Sequence, residues 1–368
     1  MPRRPIYMDH HATTPTDPRV VEAMEPFGNP SSRHHAFGWA ARDAVEQARK
    51  QVSRLVGCDP REVIFTSGAT ESNNLAIKGC LTATGRPAHI VTVETEHRAV
   101  LDPCRRLERE GVKVTYVQPG DDGLVDVEAV EQALTTDTVL MTVMTANNEI
   151  GVLQPVVELG ALARRRGVLF HTDATQAVGK VPFDAAELDF DLVLLSAHKC
   201  YGPKGVGALC VRRRRPKIAI TPLIDGGGYE RGLRSGTLNV PAIVGFGRAA
   251  EICCREMAAD AQRTRALMDR LWHGLSDGLD GLRINGSMDR RLPHNLNVSV
   301  SGLDGETLLV GLDDVAVSSG AACTSANPEP SHVLSALGVS DQLARASIRF
   351  GLGRLNTPDE VDYVVENV

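Results

Sequence analysis

Residues 138–172 contain three successive patterns: TVLMTVM (Thr138–Met144), VVELGALARRRG (Val156–Gly167) and VLFHT (Val168–Thr172). The first and third are short apolar runs rich in β-branched side chains, which suit extended, pleated backbone. The middle one spaces its apolar residues at helical intervals, gathers arginines at its end and closes on a glycine, as helix C-termini do. Strand, helix and strand in that order make one βαβ unit. Both strand runs are apolar almost throughout, so the sheet they join is covered on both faces.

The alternation continues outward in both directions. Glu62–Ser67, His89–Glu94, Lys113–Val117 and Leu192–Ala197 read as further strands. Glu71–Gly79, Ala99–Glu110 and Val127–Leu134 read as the helices between them. The expected fold class is therefore α/β, with a mostly parallel sheet in a large domain. The pattern changes after about residue 240. A long helical stretch, Ala242–Gly278, leads into Asn295–Val300, Gly305–Leu312 and Ser347–Leu352, which read as a smaller α+β unit, and Asp359–Val368 reads as a final helix.

The chain has 368 residues, 42% hydrophobic and 23% charged, with 34 glycines and 20 prolines. That composition fits neither a disordered nor a collagen-like chain. No apolar run approaches the roughly 20 residues of a membrane helix. The basic N-terminus has no apolar segment behind it, so no secretory leader is expected. With 40 basic against 46 acidic side chains and a net charge of −6, nothing points to nucleic acid or to an anionic membrane. Arg212–Arg215 and Arg164–Arg166 read as a solvated turn and a solvated helix face.

Eight cysteines are scattered through the chain: Cys58, Cys80, Cys104, Cys200, Cys210, Cys253, Cys254 and Cys323. None forms a Cys-x-x-Cys pair and no His-x-x-x-His spacing accompanies them, so no metal site is expected. Scattered cysteines in a large chain fit reduced thiols in the cytoplasm. Most read as small hydrophobes.

Ligands in open α/β sheets bind at the carboxyl ends of the strands, so the residues after each strand come next. Gly68-Ala69-Thr70 follows the first strand and opens a helix. Its free N–H groups and hydroxyl suit a phosphate, and suit an ordinary helix cap equally well. Asp173, after Val168–Thr172, fits a partner for a protonated ring nitrogen or a plain N-cap. His198-Lys199 follows Leu192–Ala197, where an amine in a dry site becomes capable of Schiff-base chemistry. His97, Asn147-Asn148-Glu149 and Arg234-Ser235-Gly236-Thr237 occupy comparable positions. Each is ambiguous alone. Together they meet the demands of pyridoxal 5′-phosphate (PLP): a phosphate cradle, a pyridinium partner, a reactive lysine and a ring to stack.

Five motifs carry a closer likeness: FTSGATESNN (Phe65–Asn74), HTDATQ (His171–Gln176), SAHK (Ser196–Lys199), GGG with RSGT (Gly226–Gly228, Arg234–Thr237) and SSGAACTS (Ser318–Ser325). In order and over nearly the whole chain, the sequence resembles the cysteine desulfurases of iron–sulfur assembly, the NifS/IscS-like branch of the class-V aminotransferases. The resemblance implies a PLP-dependent enzyme of fold type I. It implies a large domain over 14–250 and a smaller one made of 1–13 with 251–368, which carries the catalytic cysteine loop.

It also implies residue roles. Lys199 bonds to PLP, Asp173 pairs with the pyridine nitrogen and Gln176 faces the ring hydroxyl. His97 stacks on the ring and moves protons. Thr70, Ser196 and His198 bind the phosphate, with Thr237 reaching across from a second subunit of a homodimer. Ala69 and Asn148 also touch the cofactor. Asn148 and Arg349 hold the carboxylate of the substrate, L-cysteine, the arginine through its guanidinium fork. Cys323 is the nucleophile that carries sulfur as a persulfide to an acceptor, an iron–sulfur scaffold, a tRNA-thiolation relay or a DNA-modification system, and it can serve as a transient cluster ligand. The product is L-alanine. Around Cys323 the sequence is nearly all Ser, Gly, Ala and Thr, which reads as a surface loop of low local stability.

Three departures from the family pattern stand out. The sequence ends at Val368, where relatives usually continue and where their tails commonly help to dock a scaffold. The segment Met24–Asn29 is a few residues short, and Cys200 replaces a bulkier residue, a change expected to matter only for packing. Selenocysteine lyases and aminotransferases share Lys199 and Asp173, but an aminotransferase has no use for a nucleophile on a loop. A non-catalytic sulfur-relay protein has no use for the full set.

Overall fold

The computed structural model describes residues 5–25, 28–84, 88–213, 216–302, 312, 314–319 and 330–367. Its centre is a seven-stranded sheet in the order β2-β8-β7-β6-β5-β3-β4. The strands are β2 (Val63–Thr66), β3 (His89–Val93), β4 (Lys113–Val117), β5 (Thr138–Thr142), β6 (Leu169–Asp173), β7 (Leu192–Ser196) and β8 (Gly207–Val211). From β4 to β7 every pairing is parallel. β8 runs antiparallel to both of its neighbours, β2 and β7.

β8, the apolar strand ahead of the arginine run Arg212–Arg215, is not counted among the sheet strands in the sequence reading. It follows a Pro-Lys-Gly turn and opens on Gly207, features that read as loop. The glycine is there for space, because a Cβ would lie 2.8 Å from both Gly68 Cα and Leu195 O. A bare backbone at that point lets β8 slide between β7 and the turn that follows β2.

Helices cover both faces of the sheet. α3 (Ala69–Thr84), α4 (Arg98–Arg109), α5 (Val127–Ala133) and α6 (Val156–Arg166) connect the strands, and α3 runs five residues past the expected Gly79. α2 (Ala36–Val56) is the helix the sequence reading does not single out. Its buried stripe, Ala41, Val45, Ala48, Val52 and Val56, has helical spacing but rests on alanines among many charged residues. It packs along α7 (Val240–Gly278), where Gly247 allows close approach: a Cβ there would sit 2.6 Å from Ala48 Cα. Gly57, at φ 74°, ends α2 in the left-handed conformation that favours glycine.

α7 is continuous through residue 250. Its first half buries Ile243, Phe246, Ala249 and Ala250 in the core beneath the large sheet. Its second half buries Leu267, Met268, Leu271 and Leu275 in a separate core. The latter lies against an antiparallel sheet in the order β12-β13-β10-β9. These are β9 (Leu282–Ile284), β10 (Asn295–Val300), β12 (Ser318–Ser319) and β13 (Ser347–Gly351). β1 (Ile6–Tyr7) pairs in parallel with β11 (Val315–Ala316), and Asp9 bridges to Gly351, so the N-terminal strand belongs with this second core. The expected strand Gly305–Leu312 lies outside the described residues except for Leu312. The last helix, Pro358–Asn367, packs on α7. Among the described residues, no helix is long and apolar enough to cross a membrane.

Candidate active site

The carboxyl ends of the parallel strands converge on a cleft of ≈ 570 Å³. Ser67, Gly68, Ala69 and Thr70 reach it from the β2–α3 turn, and His97 from the end of β3. Asn148 follows β5. Asp173 ends β6 and Gln176 follows it. Ser196 ends β7, with His198 and Lys199 in the short turn beyond. Arg349 enters from β13 on the opposite wall. Ten side chains that the sequence marked thus share one cavity.

Asp173 is a fixed acceptor. Asn73 Nδ2 donates to one carboxylate oxygen at 2.9 Å and the Thr175 N–H to the other at 3.0 Å. Each oxygen keeps a further lone pair for a donor in the cleft. His97 caps α4: its Nδ1 accepts the Ala99 N–H at 3.0 Å. The neutral ring therefore carries its proton on Nε2. His198 Nδ1 meets Thr13 Oγ1 at 3.1 Å, and burial pushes its pKa down to about 4, so it works as a neutral ring.

Lys199 lies in the short turn just past β7, and it is half-buried. Its ammonium donates to the backbone carbonyls of His11, in a short contact, and of Ala12 at 2.8 Å. Those carbonyls belong to the N-terminal segment Asp9–Thr13, which the sequence reading placed with the smaller unit. His11, Ala12 and Thr13 line the cleft and are the chief site residues that sequence reasoning missed. The signal available was a His-His-Ala-Thr-Thr run too polar for a strand, yet His11 and Thr14 are wholly buried.

A relay of amides and imidazole sets the orientation of Gln176. Asn295 Nδ2 lies 3.1 Å from His11 Nε2, and the same nitrogen donates to Glu149 O at 3.1 Å. Because an amide NH2 can only donate, His11 Nε2 accepts and Nδ1 holds the proton. His11 Nδ1 then donates to Gln176 Oε1 at 3.1 Å, and Gln176 Nε2 donates to His11 O at 3.1 Å. One N–H of Gln176 is left for the cleft.

On the opposite wall, Arg349 is buried and held by two acceptors: Nη1 donates to Asn148 O at 2.9 Å and Nη2 to Asp9 Oδ1 at 2.8 Å. Its Nε and the side-chain Oδ1 of Asn148 are buried without a partner among the described residues. Glu149 lies behind Asn148, where burial pushes its carboxyl up to about 7, partly offset by its bond from Ser331.

One expected site residue lies elsewhere. Thr237 is exposed and does not line this chain's cleft. Cys323 lies outside the described residues. Cys200 is buried, its thiol turned back on Ala197 O at 3.3 Å and away from the cleft.

The residues present fit PLP. The amino end of α3, the Ser196 hydroxyl and neutral His198 offer donors to a phosphate. Asp173 offers an anionic acceptor to a ring nitrogen, Gln176 an N–H to a ring oxygen and Lys199 a primary amine. The unpartnered polar atoms of Asn148 and Arg349 call for a polar occupant on the other side.

Comparison with known proteins agrees with this geometry. The family model for class-V aminotransferases matches residues 6–364. Cysteine desulfurase IscS of Anaeromyxobacter dehalogenans (strain 2CP-C) is 55% identical over 98% of this chain and 91% of its own length. A solved NifS-like protein is 39% identical, with a TM-score of 0.91 over 98% of this chain and 97% of its own. The structure of SspA in complex with cysteine is 36% identical, with a TM-score of 0.84 over 96% of this chain and all of the other. The chain belongs to the class-V aminotransferase family, in its PLP-dependent cysteine desulfurase branch.

Proposed function

We propose that this chain takes sulfur from L-cysteine, releases L-alanine and holds the sulfur as a persulfide on Cys323 for an acceptor protein. The observation that carries the reading is the pairing of a lysine amine on one wall of the cleft with a buried guanidinium on the other. That arrangement receives an amino acid with its amine toward Lys199 and its carboxylate toward Arg349 and Asn148. Bound beside Lys199, PLP supplies an electron sink for a carbanion at the substrate Cα.

The rest falls to the chain's own groups. Asp173 keeps the ring nitrogen protonated, Gln176 donates to the ring oxygen and His97 covers the ring face. Ala69, Thr70, Ser196 and His198 hold the phosphate. Lys199 Nζ moves the proton at Cα. The Cys323 thiolate attacks the substrate sulfur, so that an S–S bond forms as the C–S bond breaks, and the carbon then takes up a proton to become alanine.

Both flanks of the segment that holds Cys323 are tied to the Arg349 wall. Ser318 on β12 pairs in register with Arg349, and Ser331 donates to Glu149. This supports a thiol that works from the substrate side of the cleft. We assign the large domain to 14–250, and the smaller one to 1–13 with 251–368. The functional unit is a homodimer in which Thr237 serves the other subunit's phosphate site. The acceptor is an iron–sulfur scaffold in the cytoplasm, which suits the unpaired thiols of all seven described cysteines.

The test compares sulfide and alanine release by wild type and Cys323→Ser at equal PLP loading, with a reductant present. Wild type should make both products and the variant neither. Full activity in the variant would show that Cys323 is not the nucleophile and would leave direct elimination at Lys199.

A further inference from the structure

A second cavity, of ≈ 340 Å³, opens at the other ends of the strands. Val193 and Cys210 pair near the start of β7, whereas the cleft begins beyond Ser196 at its end. Cys58 and Cys210 both line this second cavity, with their Sγ atoms 3.6 Å apart. Cys58 is half-buried and Cys210 buried. The other buried thiols, Cys80, Cys104, Cys200 and Cys253, line neither this cavity nor the cleft.

The two thiols are held unequally. Cys210 sits on β8, hydrogen-bonded between β2 and β7. Cys58 sits in a turn between Gly57, at φ 74°, and the single helical turn Pro60–Glu62. A disulfide has an S–S distance of about 2.05 Å, so closure needs the Cys58 side to move by about 1.5 Å. The turn can supply that movement; the central strand cannot. The cavity also presents Arg54 and Arg212 beside Asp59, Glu62 and Asp191, so a zwitterionic ligand finds groups of both signs near the thiols.

We propose that Cys58 and Cys210 form a dithiol site whose substrates are low-molecular-weight disulfides, and whose product is an intramolecular disulfide. The Cys58 thiolate attacks one sulfur of the small disulfide, breaking its S–S bond and expelling one thiolate. Cys210 then attacks Cys58 Sγ in the mixed disulfide and expels the second. Two protein thiols are oxidised, one small disulfide is reduced to two thiols, and the two protons lost by the cysteines are taken up by the departing thiolates. The order follows from access. It also follows from the Cys210 thiol, whose contact with Cys58, together with burial, holds it well above the ordinary range, so it reacts only once Cys58 has been modified.

The experiment uses PLP-loaded protein carrying Cys254→Ser and Cys323→Ser, which removes the exposed Cys254 thiol and the Cys323 thiol as competitors and makes the result independent of the desulfurase reading. The protein is incubated with glutathione disulfide, then analysed by intact mass and by peptide mapping without reduction. The expected product has lost two hydrogens and links the Cys58 and Cys210 peptides. A Cys210→Ser version should stop at one glutathione on Cys58, and a Cys58→Ser version should leave Cys210 unmodified. Recovery of both cysteines as free thiols, or of Cys58 joined to a different cysteine, would overturn the proposal. Cys58→Ser alone should keep wild-type desulfurase activity, which shows that the fold is intact.

Discussion

Arg49 and Glu230 form a buried, doubly hydrogen-bonded ion pair, Nη1 to Oε2 and Nη2 to Oε1, both at 2.8 Å. The same Glu230 carboxylate accepts the Phe65 N–H at 2.7 Å, and Arg49 also donates to Val63 O at 2.8 Å. Glu230 and Arg231 are in the left-handed region, at φ 46° and 58°, which non-glycine residues adopt only when their surroundings hold them there. The pair therefore pins the glycine-rich loop 226–237, with Thr237 at its end, to α2 and β2.

Glu230→Gln should destabilise the protein by about 3 kcal/mol, because it leaves the buried Arg49 charge with only the exposed Glu46 carboxylate, 3.0 Å from its Nε, as counter-ion. Urea unfolding gives the measurement, as a lowered midpoint at unchanged slope. Pairing the change with Arg49→Met should recover most of the loss, since the double variant buries no lone charge. A Glu230→Gln protein as stable as wild type would mean that the pair does not anchor the loop.

Asn295 acts on the cofactor pocket from beyond contact distance. Its amide sets the His11 tautomer, which in turn sets Gln176. Asn295→Leu removes the donor and frees the Gln176 amide to flip. Lost neutral hydrogen bonds are worth about 0.5–1.5 kcal/mol, and 1.4 kcal/mol corresponds to about one pH unit. The pH midpoint of the bound cofactor's absorbance should rise by up to about one unit, with PLP still retained. An unmoved midpoint would show that Gln176 keeps its orientation without the relay.

Glu149 makes stability depend on pH in the sense opposite to most carboxylates. Burial raises its folded pKa to about 7, so between pH 4.5 and 7 the folded state binds more protons than the unfolded one. Its contribution is therefore full below about pH 4.5 and is lost as pH rises through 7, on the order of 3 kcal/mol in all. His10 and His198 have the reverse sign: burial lowers both to about 4, so they destabilise the fold as pH falls below 6.5. Glu149→Gln keeps a hydrogen-bonding partner for Ser331 and removes the titration. The variant should therefore gain stability relative to wild type as pH rises from 6 to 8, the histidine contributions being common to both proteins. Parallel pH curves for the two proteins would contradict a raised Glu149.

The βαβ core of 138–172 was legible because strand and helix there differ in period as well as in composition. The residues after each strand were legible for the same reason, since a parallel sheet sends its loops to one end. β8 was left out of the expected sheet because Gly207 serves a close approach to Gly68 that only the folded structure reveals. His11 escaped because its role is carried partly by its backbone carbonyl, which every residue has, and partly by a tautomer fixed by a residue 284 positions away. Thr237 was named through the family resemblance alone, and it does not line this chain's cleft.

Arg349→Lys separates substrate binding from cofactor binding. The guanidinium is positioned by Asn148 O and Asp9 Oδ1 while its remaining N–H groups face the cleft wall. Lysine keeps the charge but not the planar fork, and cannot satisfy both acceptors while also meeting a carboxylate in two-pronged fashion. Hydrogen bonds to charged groups are worth about 1.5–3 kcal/mol, so KM for L-cysteine should rise roughly 10- to 100-fold. Arg349 makes no contact with Asp173, Gln176 or Lys199 that the cofactor depends on, so PLP content and its absorbance spectrum should match wild type. Steady-state kinetics against cysteine, with PLP occupancy measured in parallel, checks both halves. Loss of PLP together with activity would mean that Arg349 shapes the cofactor pocket and that the substrate carboxylate is held elsewhere.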